Sequence, residues 1–160
     1  MSNFTHFDKE GNAIMVDISS KEETIREATA IGTIKVSKEC YKNIVDGNIK
    51  KGDVLQVARL AGIMGTKNTS NLIPLCHNIL IEKVTIDFSL NESDSELQVL
   101  CTVKTSGKTG VEMEALIGAN IALLTIYDMC KGIDKSIKIL NLYLAKKIGG
   151  KSGTYEASAL

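Results

Sequence analysis

Apolar and polar residues alternate along four stretches of this chain, as they do in strands that bury one face. The first stretch, residues 25–37, becomes rich in β-branched residues toward its end. Residues 79–90 and 97–106 flank the polar turn NESDSE and predict a hairpin, and residues 137–149 predict a closing strand. The pattern therefore predicts four strands, two of which are joined by a short turn.

Helical signals occupy the intervals between these strands. Ser37 is a candidate N-cap for a short helix that stops at Gly47, and Asp53 is a candidate cap for a second helix. One face of that second helix carries Val54, Val57, Ala58, Ala61 and Met64. After the hairpin, residues 111–133 predict a long helix that is apolar almost all round. We expect this helix to be buried on several sides.

The predicted order is strand, helices, strand, strand, helix, strand. This is the order of the ferredoxin-like plait, an α+β fold whose antiparallel sheet carries its helices on one face. We expect residues 1–20 to form a mobile arm, residues 21–153 a single domain, and residues 154–160 a tail.

Composition narrows the classes of function. The 160 residues are 44% hydrophobic, which is enough for the core of one domain. Nineteen basic residues balance nineteen acidic ones, and this balance argues against broad binding to a nucleic-acid backbone. A plait that binds RNA would also need exposed aromatic residues on its sheet, and only Phe88 in the hairpin offers one. A local basic pocket for a small anion stays open.

Location and metal content are expected to be simple. The first residues lack the order of a signal peptide, and no stretch approaches the roughly 20 apolar residues that span a bilayer. Cys40, Cys76, Cys101 and Cys130 are widely spaced and contain no C-x-x-C pair. We therefore expect free thiols in a cytoplasmic protein without a bound metal or a membrane partner.

The stretch TSGKTGVEMEAL, residues 105–116, contains the G-K-T ending of a nucleotide-binding P-loop. That motif needs a further glycine five residues before Gly107, because its backbone amides must curl around the phosphates. The position is occupied by Thr102. The P-loop interpretation fails, and the glycine-rich segment needs another explanation.

Three polar clusters stand beside apolar stretches, and each has two interpretations. His77, which follows Cys76 before a strand, is either a surface residue or a side chain at a cleft. The carboxylates of Glu112 and Glu114 either favour the macrodipole of a first helical turn or bind a ligand. Asp128 and Lys131 are three residues apart and pair on one helix face, either in solvent or at a site. The lysines at loops and element ends have the same two interpretations: Lys51, Lys67, Lys108, Lys146, Lys147 and Lys151.

In combination, these motifs resemble one family. The segments appear in the order MVDIS, KGDVLQVARLAGI, TSNLIPLCHNILI, GKTGVEMEAL, LTIYDMCK and GGKSG, between residues 15 and 153. They look like cyclic pyranopterin monophosphate synthase, the accessory protein C of molybdenum-cofactor biosynthesis. That family converts a cyclised dihydro-GTP, (8S)-3′,8-cyclo-7,8-dihydroguanosine 5′-triphosphate, into a cyclic pyranopterin phosphate and releases diphosphate. The resemblance implies a lyase with a nucleotide-derived substrate.

The resemblance also implies an assembly and a set of site residues. It implies a homohexamer built as a trimer of dimers, with each site at a subunit interface. The residues implied for catalysis are Lys51, Asp128 and Lys131. The residues implied for substrate binding are Leu75, Cys76, His77, Glu112, Met113 and Glu114, with Arg26, Lys67, Lys108, Lys147 and Lys151 around the triphosphate. One departure is Asn78, where the family usually has proline, and it affects the expected shape of that loop.

The chemistry of the reaction explains these residue types. Several protons must move, and a lysine with an ordinary pKa near ~10.4 is a poor base until burial or neighbouring cations lower its pKa. Lys51, beside Lys50, is a candidate for such a base, whereas Lys131 paired with Asp128 should stay protonated. The residues leave open which lysine is the acid. They require no cofactor, and Mg²⁺ on the substrate triphosphate stays an option. The alternative function is a non-catalytic oligomer that binds a nucleotide or pterin.

Overall fold

The computed structural model describes residues 6–151 and 153–158, so the ends of the predicted arm and tail lie outside the described residues, as does Ser152. The elements, in chain order, are β1 (Thr24–Lys35), α1 (Lys38–Val45), α2 (Val54–Lys67), α3 (Thr69–Leu72), β2 (Lys83–Asn91), β3 (Glu96–Gly107), α4 (Glu112–Cys130), β4 (Lys138–Ile148) and β5 (Tyr155–Glu156).

The sheet confirms the predicted fold class. Its strand order is β2-β3-β1-β4-β5, and every neighbouring pair is antiparallel. The four long strands have the order of a ferredoxin-like plait, with β1 and β3 at the centre. Helix α4 packs against β1, β3 and β4, and α2 packs against β2 and α4, so both long helices lie on one face of the sheet.

The two predicted caps are present. The side chain of Ser37 accepts a hydrogen bond from the amide of Cys40 at the start of α1. The Asp53 carboxylate accepts from the amides of Leu55 and Gln56 at the start of α2. Each cap binds amides that have no partner within the helix, and this fixes where the helix begins.

Glycines allow α2 and α4 to pack closely. A methyl group at Gly62 would overlap the carbonyl oxygen of Gly118, and one at Gly65 would overlap the side chain of Ile121. The hydroxyl of Thr66, one residue further along α2, donates to the carbonyl of Glu114 near the start of α4. The C-terminal end of α2 therefore meets the N-terminal end of α4, and the two helices run antiparallel.

Two boundaries differ from the prediction. Strand β2 begins at Lys83 rather than at residue 79. The amide of Glu82 still donates to the carbonyl of Lys104 (3.0 Å). The carbonyl of Leu80 instead accepts from the Thr105 hydroxyl (2.5 Å), and Ile79 lines a cavity, so regular pairing starts only at Lys83. Residues 155–156, placed in the predicted tail, pair with β4 as the short strand β5.

Helix α4 is long and apolar enough to cross a membrane if length and composition alone are considered. Half of the apolar stretch concerned is buried inside the domain, where it forms the middle of the core with β1 and β3. Its burial matches the prediction of a helix enclosed on several sides.

Candidate active site

A cavity of about 320 Å³ lies at the N-terminal end of α4, and we call it the acidic cavity. The loop before residue 79 supplies Leu75, Cys76 and His77, and the first turn of α4 supplies Glu112, Met113 and Glu114. These six residues are distant in sequence, and all six were implied by the resemblance. The remaining lining residues are His6, Val16, Ile18, Lys21, Ile79, Thr109 and Gly110.

Glu114 is the most buried carboxylate of this cavity, with 3% of its surface exposed. Burial, and secondarily the nearby charge of Glu112, raises the pKa of Glu114. No cation pairs with Glu114 among the residues that the structure describes. Its charge in turn adds to burial in raising the pKa of the Cys76 thiol. A buried carboxyl without a cation is suited to accept hydrogen bonds from a ligand.

Glu112 connects the acidic cavity to the basic residues of β4. Its Oε1 is 3.0 Å from Nζ of Lys147, and both side chains are about 30% exposed or less. A small cleft of about 30 Å³ runs between them and is also lined by Arg26 and Gly110. A methyl group at Gly110 would overlap the carboxylate of Glu112, so this position of the GKTG segment leaves room for the acid. The glycine-rich segment, which is not a P-loop, is thus explained by the space that the Glu112 carboxylate needs.

A basic groove of about 720 Å³ opens beyond this cleft. Its lining contains three cations, Lys21, Arg26 and Lys151, and one acid, Glu22. Lys21 lines both the groove and the acidic cavity. The groove therefore presents a net positive surface directly beside a cavity that carries two carboxylates.

Arg26 also holds the loop between β3 and α4. Its Nε donates to the carbonyl of Gly107 (2.8 Å) and its Nη2 donates to the carbonyl of Lys108 (3.2 Å). Gly150 lies against the same guanidinium, where a side chain would overlap it. Arg26 was expected only as a triphosphate contact, and the structure adds the positioning of two glycine-rich loops.

The segment before β1 forms one wall of the acidic cavity. The His77 Nε2 is 2.7 Å from the carbonyl of Val16, and it must carry the proton there because a carbonyl only accepts. Nζ of Lys108 donates to the carbonyl of Ser19 (3.0 Å). Lys108 is thus bound to this segment rather than directed at the groove.

Residue patterns alone missed several lining residues of this wall. His6, Val16, Ile18 and Lys21 all precede β1, in or beside the segment expected to be a mobile arm. The available signal was the MVDIS motif, which contains Val16 and Ile18. A motif in an otherwise polar arm is itself a reason to place that arm at a site.

A second cluster, which we call the Asp128 cluster, lies at the other end of α4. Asp128 Oδ1 is 2.7 Å from Nζ of Lys131, and its Oδ2 is 3.2 Å from Nζ of Lys51. The Lys51 ammonium also donates to the Asp128 carbonyl (2.7 Å). The three residues expected for catalysis therefore meet, and the predicted pair of Asp128 with Lys131 is confirmed.

The ion pairs of the Asp128 cluster change the pKa values of Asp128 and Lys131 in opposite directions. Hydrogen bonds from Lys131 and then Lys51 lower the pKa of Asp128. The same pairing with Asp128 raises the pKa of Lys131, so this lysine stays protonated around neutral pH, as the sequence predicted. All three side chains are about half exposed and carry one net positive charge. The cluster can hold an anion or give a proton to one.

The acidic cavity and the Asp128 cluster lie apart within this chain. Asp128 follows Glu112 by sixteen positions in α4, which is about 24 Å along a helix axis. Lys67 ends α2 near the cavity but is exposed and does not line it. Among residues 6–151 and 153–158, no three histidine, cysteine or acidic side chains come together as a metal site.

Comparison with known proteins places these features in one family. The model of the MoaC family matches residues 15–150. A cyclic pyranopterin monophosphate synthase from Clostridium perfringens strain 13 is 56% identical over 151 residues, 94% of this chain and 96% of the relative. A protein of the same name from Thermoanaerobacter sp. strain X514 is 55% identical, over 96% of this chain and 98% of the relative. Another, from Peptoclostridium acidaminophilum, is 52% identical, over 98% of this chain and 99% of the relative.

Proposed function

The chain belongs to the MoaC family, and from this premise we propose that it is a cyclic pyranopterin monophosphate synthase. It is a lyase of molybdenum-cofactor biosynthesis. It converts (8S)-3′,8-cyclo-7,8-dihydroguanosine 5′-triphosphate to cyclic pyranopterin monophosphate and releases diphosphate. The observation that carries this proposal is the acidic cavity beside the basic groove, because a guanine-derived triphosphate needs both environments.

The acidic cavity binds the ring end of this substrate. A guanine-derived ring has an amide N–H and an amino group, and a carboxylate is the side chain best suited to accept both hydrogen bonds. Glu114, buried without a cation, gains such donors from the ring. Glu112 is already paired with Lys147 and marks the boundary between the ring and the phosphates.

The basic groove binds the triphosphate. Arg26 and Lys151 line it, and Lys147 lies in the cleft between groove and cavity. Charge-assisted hydrogen bonds to phosphate are roughly twice as strong as neutral ones. Lys67 and Lys108 contribute to the positive field around this end of the molecule. Any Mg²⁺ belongs to the triphosphate as part of the substrate, and the proposed reaction uses no resident cofactor.

The Asp128 cluster carries out proton transfer. Closing the cyclic phosphate forms a bond from a sugar-derived hydroxyl oxygen to the α-phosphorus and breaks the bond from that phosphorus to the diphosphate oxygen. The hydroxyl loses its proton, and negative charge collects on the departing diphosphate. Lys131 is protonated and stabilises this charge or gives up its proton, while Asp128 orients it. Lys51 bonds to the other carboxylate oxygen and is the candidate base for the ring rearrangement.

We further propose that the complete site forms between subunits of a homohexamer, a trimer of dimers. The separation of about 24 Å along α4 supports this, because one substrate cannot reach both ends of the helix. In a two-fold pair whose axis crosses the middle of α4, the helices run antiparallel. The Asp128 cluster of one subunit then faces the acidic cavity of the other. We also propose a cytoplasmic location, which the four free cysteines support.

The decisive test supplies the cyclised dihydro-GTP to the purified protein and follows diphosphate release and the mass of the product. Diphosphate release over repeated turnovers is expected. Direct binding is measured in parallel by calorimetry. A protein that binds the substrate, yet releases no diphosphate in a single turnover, would instead be the non-catalytic binder.

A further inference from the structure

Residues 6–14 form a small hairpin beside the acidic cavity. Phe7 and Ala13 pair as an antiparallel bridge, and the amide of Ile14 donates to the carbonyl of His6 (2.9 Å). These contacts fix the backbone of His6 before the chain continues into the cavity wall.

The turn of this hairpin is closed by its own side chains. The Asp8 carboxylate accepts from the amides of Glu10 and Asn12 and from the side-chain amide of Asn12, at 2.8–3.0 Å. Gly11 has a positive φ of 85°, which glycine adopts at little cost. The segment has the bonds of a built turn, although its composition predicted only a mobile arm.

His6 is an exposed residue that stands at the acidic cavity, and it is the first described position of the chain. It lines the acidic cavity, and neither ring nitrogen is hydrogen-bonded to another of the residues that the structure describes. His77 differs, because its Nε2 is committed to the carbonyl of Val16. The MoaC family match begins at residue 15, so His6 lies outside it.

We propose that His6 is a specificity-determining residue that contacts the guanine-derived ring at the rim of the acidic cavity; this rests on the proposed function. Glu114 accepts hydrogen bonds from the N–H groups of such a ring. The ring also has a carbonyl oxygen, which a carboxylate cannot bind because it needs a donor. The imidazole of His6 supplies an N–H group and a flat face that packs on the ring.

The test compares His6→Ala and His6→Gln with Lys9→Ala, a control at an exposed residue of the same hairpin that does not line the cavity. Diphosphate release is measured over a range of substrate concentrations. Inhibition by inorganic tripolyphosphate, which has no ring, is measured on each variant. His6→Ala should raise KM about tenfold, the scale of one lost hydrogen bond, with a smaller change in kcat. His6→Gln should recover part of that loss, and tripolyphosphate should inhibit all variants equally.

Each outcome identifies a different failure. Wild-type protein that releases no diphosphate contradicts the proposed function itself. Active wild type, with His6→Ala indistinguishable from Lys9→Ala, overturns the role of His6. An equal loss of tripolyphosphate inhibition in His6→Ala overturns its assignment to the ring end.

Discussion

Glu114 shows how one residue couples stability to binding. Its carboxyl is buried in the first turn of α4 and has no cation among the described residues, and its backbone carbonyl accepts from Thr66. The helix N-terminus favours its negative charge, but removal from water disfavours it more strongly, as its raised pKa indicates. A ligand that supplies hydrogen-bond donors reverses this penalty.

Glu114→Gln should stabilise the free protein at neutral pH while weakening substrate binding. A carboxyl whose pKa is raised on folding holds its proton more tightly in the native state. The free energy of unfolding of the wild type therefore falls as pH rises above about 4.3, the ordinary pKa of a glutamate in the unfolded chain. The difference in unfolding free energy between the variant and wild type should thus grow in favour of the variant as pH rises to neutrality. Urea unfolding at several pH values checks this, with the exposed Glu82→Gln as the control for loss of one charge. A gain that is independent of pH would contradict the prediction.

The proposed roles of Lys131 and Asp128 depend on a single ion pair, and single substitutions therefore test them. Lys51→Ala, Lys131→Ala and Asp128→Ala should each lower kcat by roughly 10²-fold or more, the range for removal of a general acid or base. Lys131→Arg should not restore turnover, since guanidinium does not release a proton near neutral pH. Single-turnover diphosphate release and substrate affinity are measured together. Lys135→Ala, an exposed lysine of the following turn, is the control.

The outcome separates a catalytic from a binding role. Affinity should change less than turnover, because the cluster acts mainly in the transition state. Near-normal turnover in the Lys51, Lys131 and Asp128 variants would move the proton transfers to His77 and the Glu112–Glu114 pair.

Two loops connect the acidic cavity to the basic groove, and both are held by one residue of β1. The loop between β3 and α4 is held by Arg26 from β1, and the loop after β4 lies against the same guanidinium at Gly150. Gly149 and Gly150 have positive φ values of 95° and 76°, so the chain bends sharply there. One arginine therefore sets the spacing between the acidic cavity and the basic groove.

Gly110→Ala should impair the enzyme without unfolding it. The added methyl group displaces the flexible Glu112 carboxylate and breaks its bond to Lys147, and no backbone atom needs to move. We expect KM to rise about tenfold, as for loss of a charge-assisted hydrogen bond, with little change in the melting temperature. Gly107→Ala is the matched control, because a methyl group there makes only ordinary contacts with Thr105. Equal kinetics for the two variants would show that the position of Glu112 does not matter.

The whole molecule leaves apolar surface uncovered along its helical layer. Leu60 and Met64 of α2 are 61% and 62% exposed, and Val57, Leu124 and Tyr127 of α2 and α4 are also exposed. Exposed apolar surface of this kind is typical of a contact with another molecule, and it supports the proposed assembly. It runs along α2 and the C-terminal half of α4, beside the Asp128 cluster that the proposed two-fold pair brings to a partner's acidic cavity.

Mixed oligomers test whether the site is shared. Lys131→Ala and Glu112→Ala should each be nearly inactive alone, and co-expressed chains should regain about a quarter of wild-type activity if each site takes one half from each subunit of a two-fold pair. Light scattering on the same samples should give a hexamer of 17.3 kDa chains. A fully active monomer, or mixtures that stay inactive although subunits mix, would contradict a shared site.

The sequence by itself determined those features that depend on neighbouring residues. Periodicity of 2 and 3.6 predicted the four long strands and three of the helices, because the burial of one face repeats along each element. The pairing of Asp128 with Lys131 followed from helical spacing, and the caps at Ser37 and Asp53 followed from local chemistry. The family followed from short motifs in a fixed order, which composition alone does not provide.

Only the tertiary structure decided which distant residues meet. The antiparallel packing of α2 on α4 brings Lys51 to Asp128, 77 residues away, and the pairing of β1 with β3 brings Arg26 to the carbonyls of Gly107 and Lys108. It also placed His6 at the acidic cavity and put that cavity and the Asp128 cluster at opposite ends of α4. Such contacts depend on strand register and on helix packing over the sheet, and local sequence patterns do not encode these over such separations.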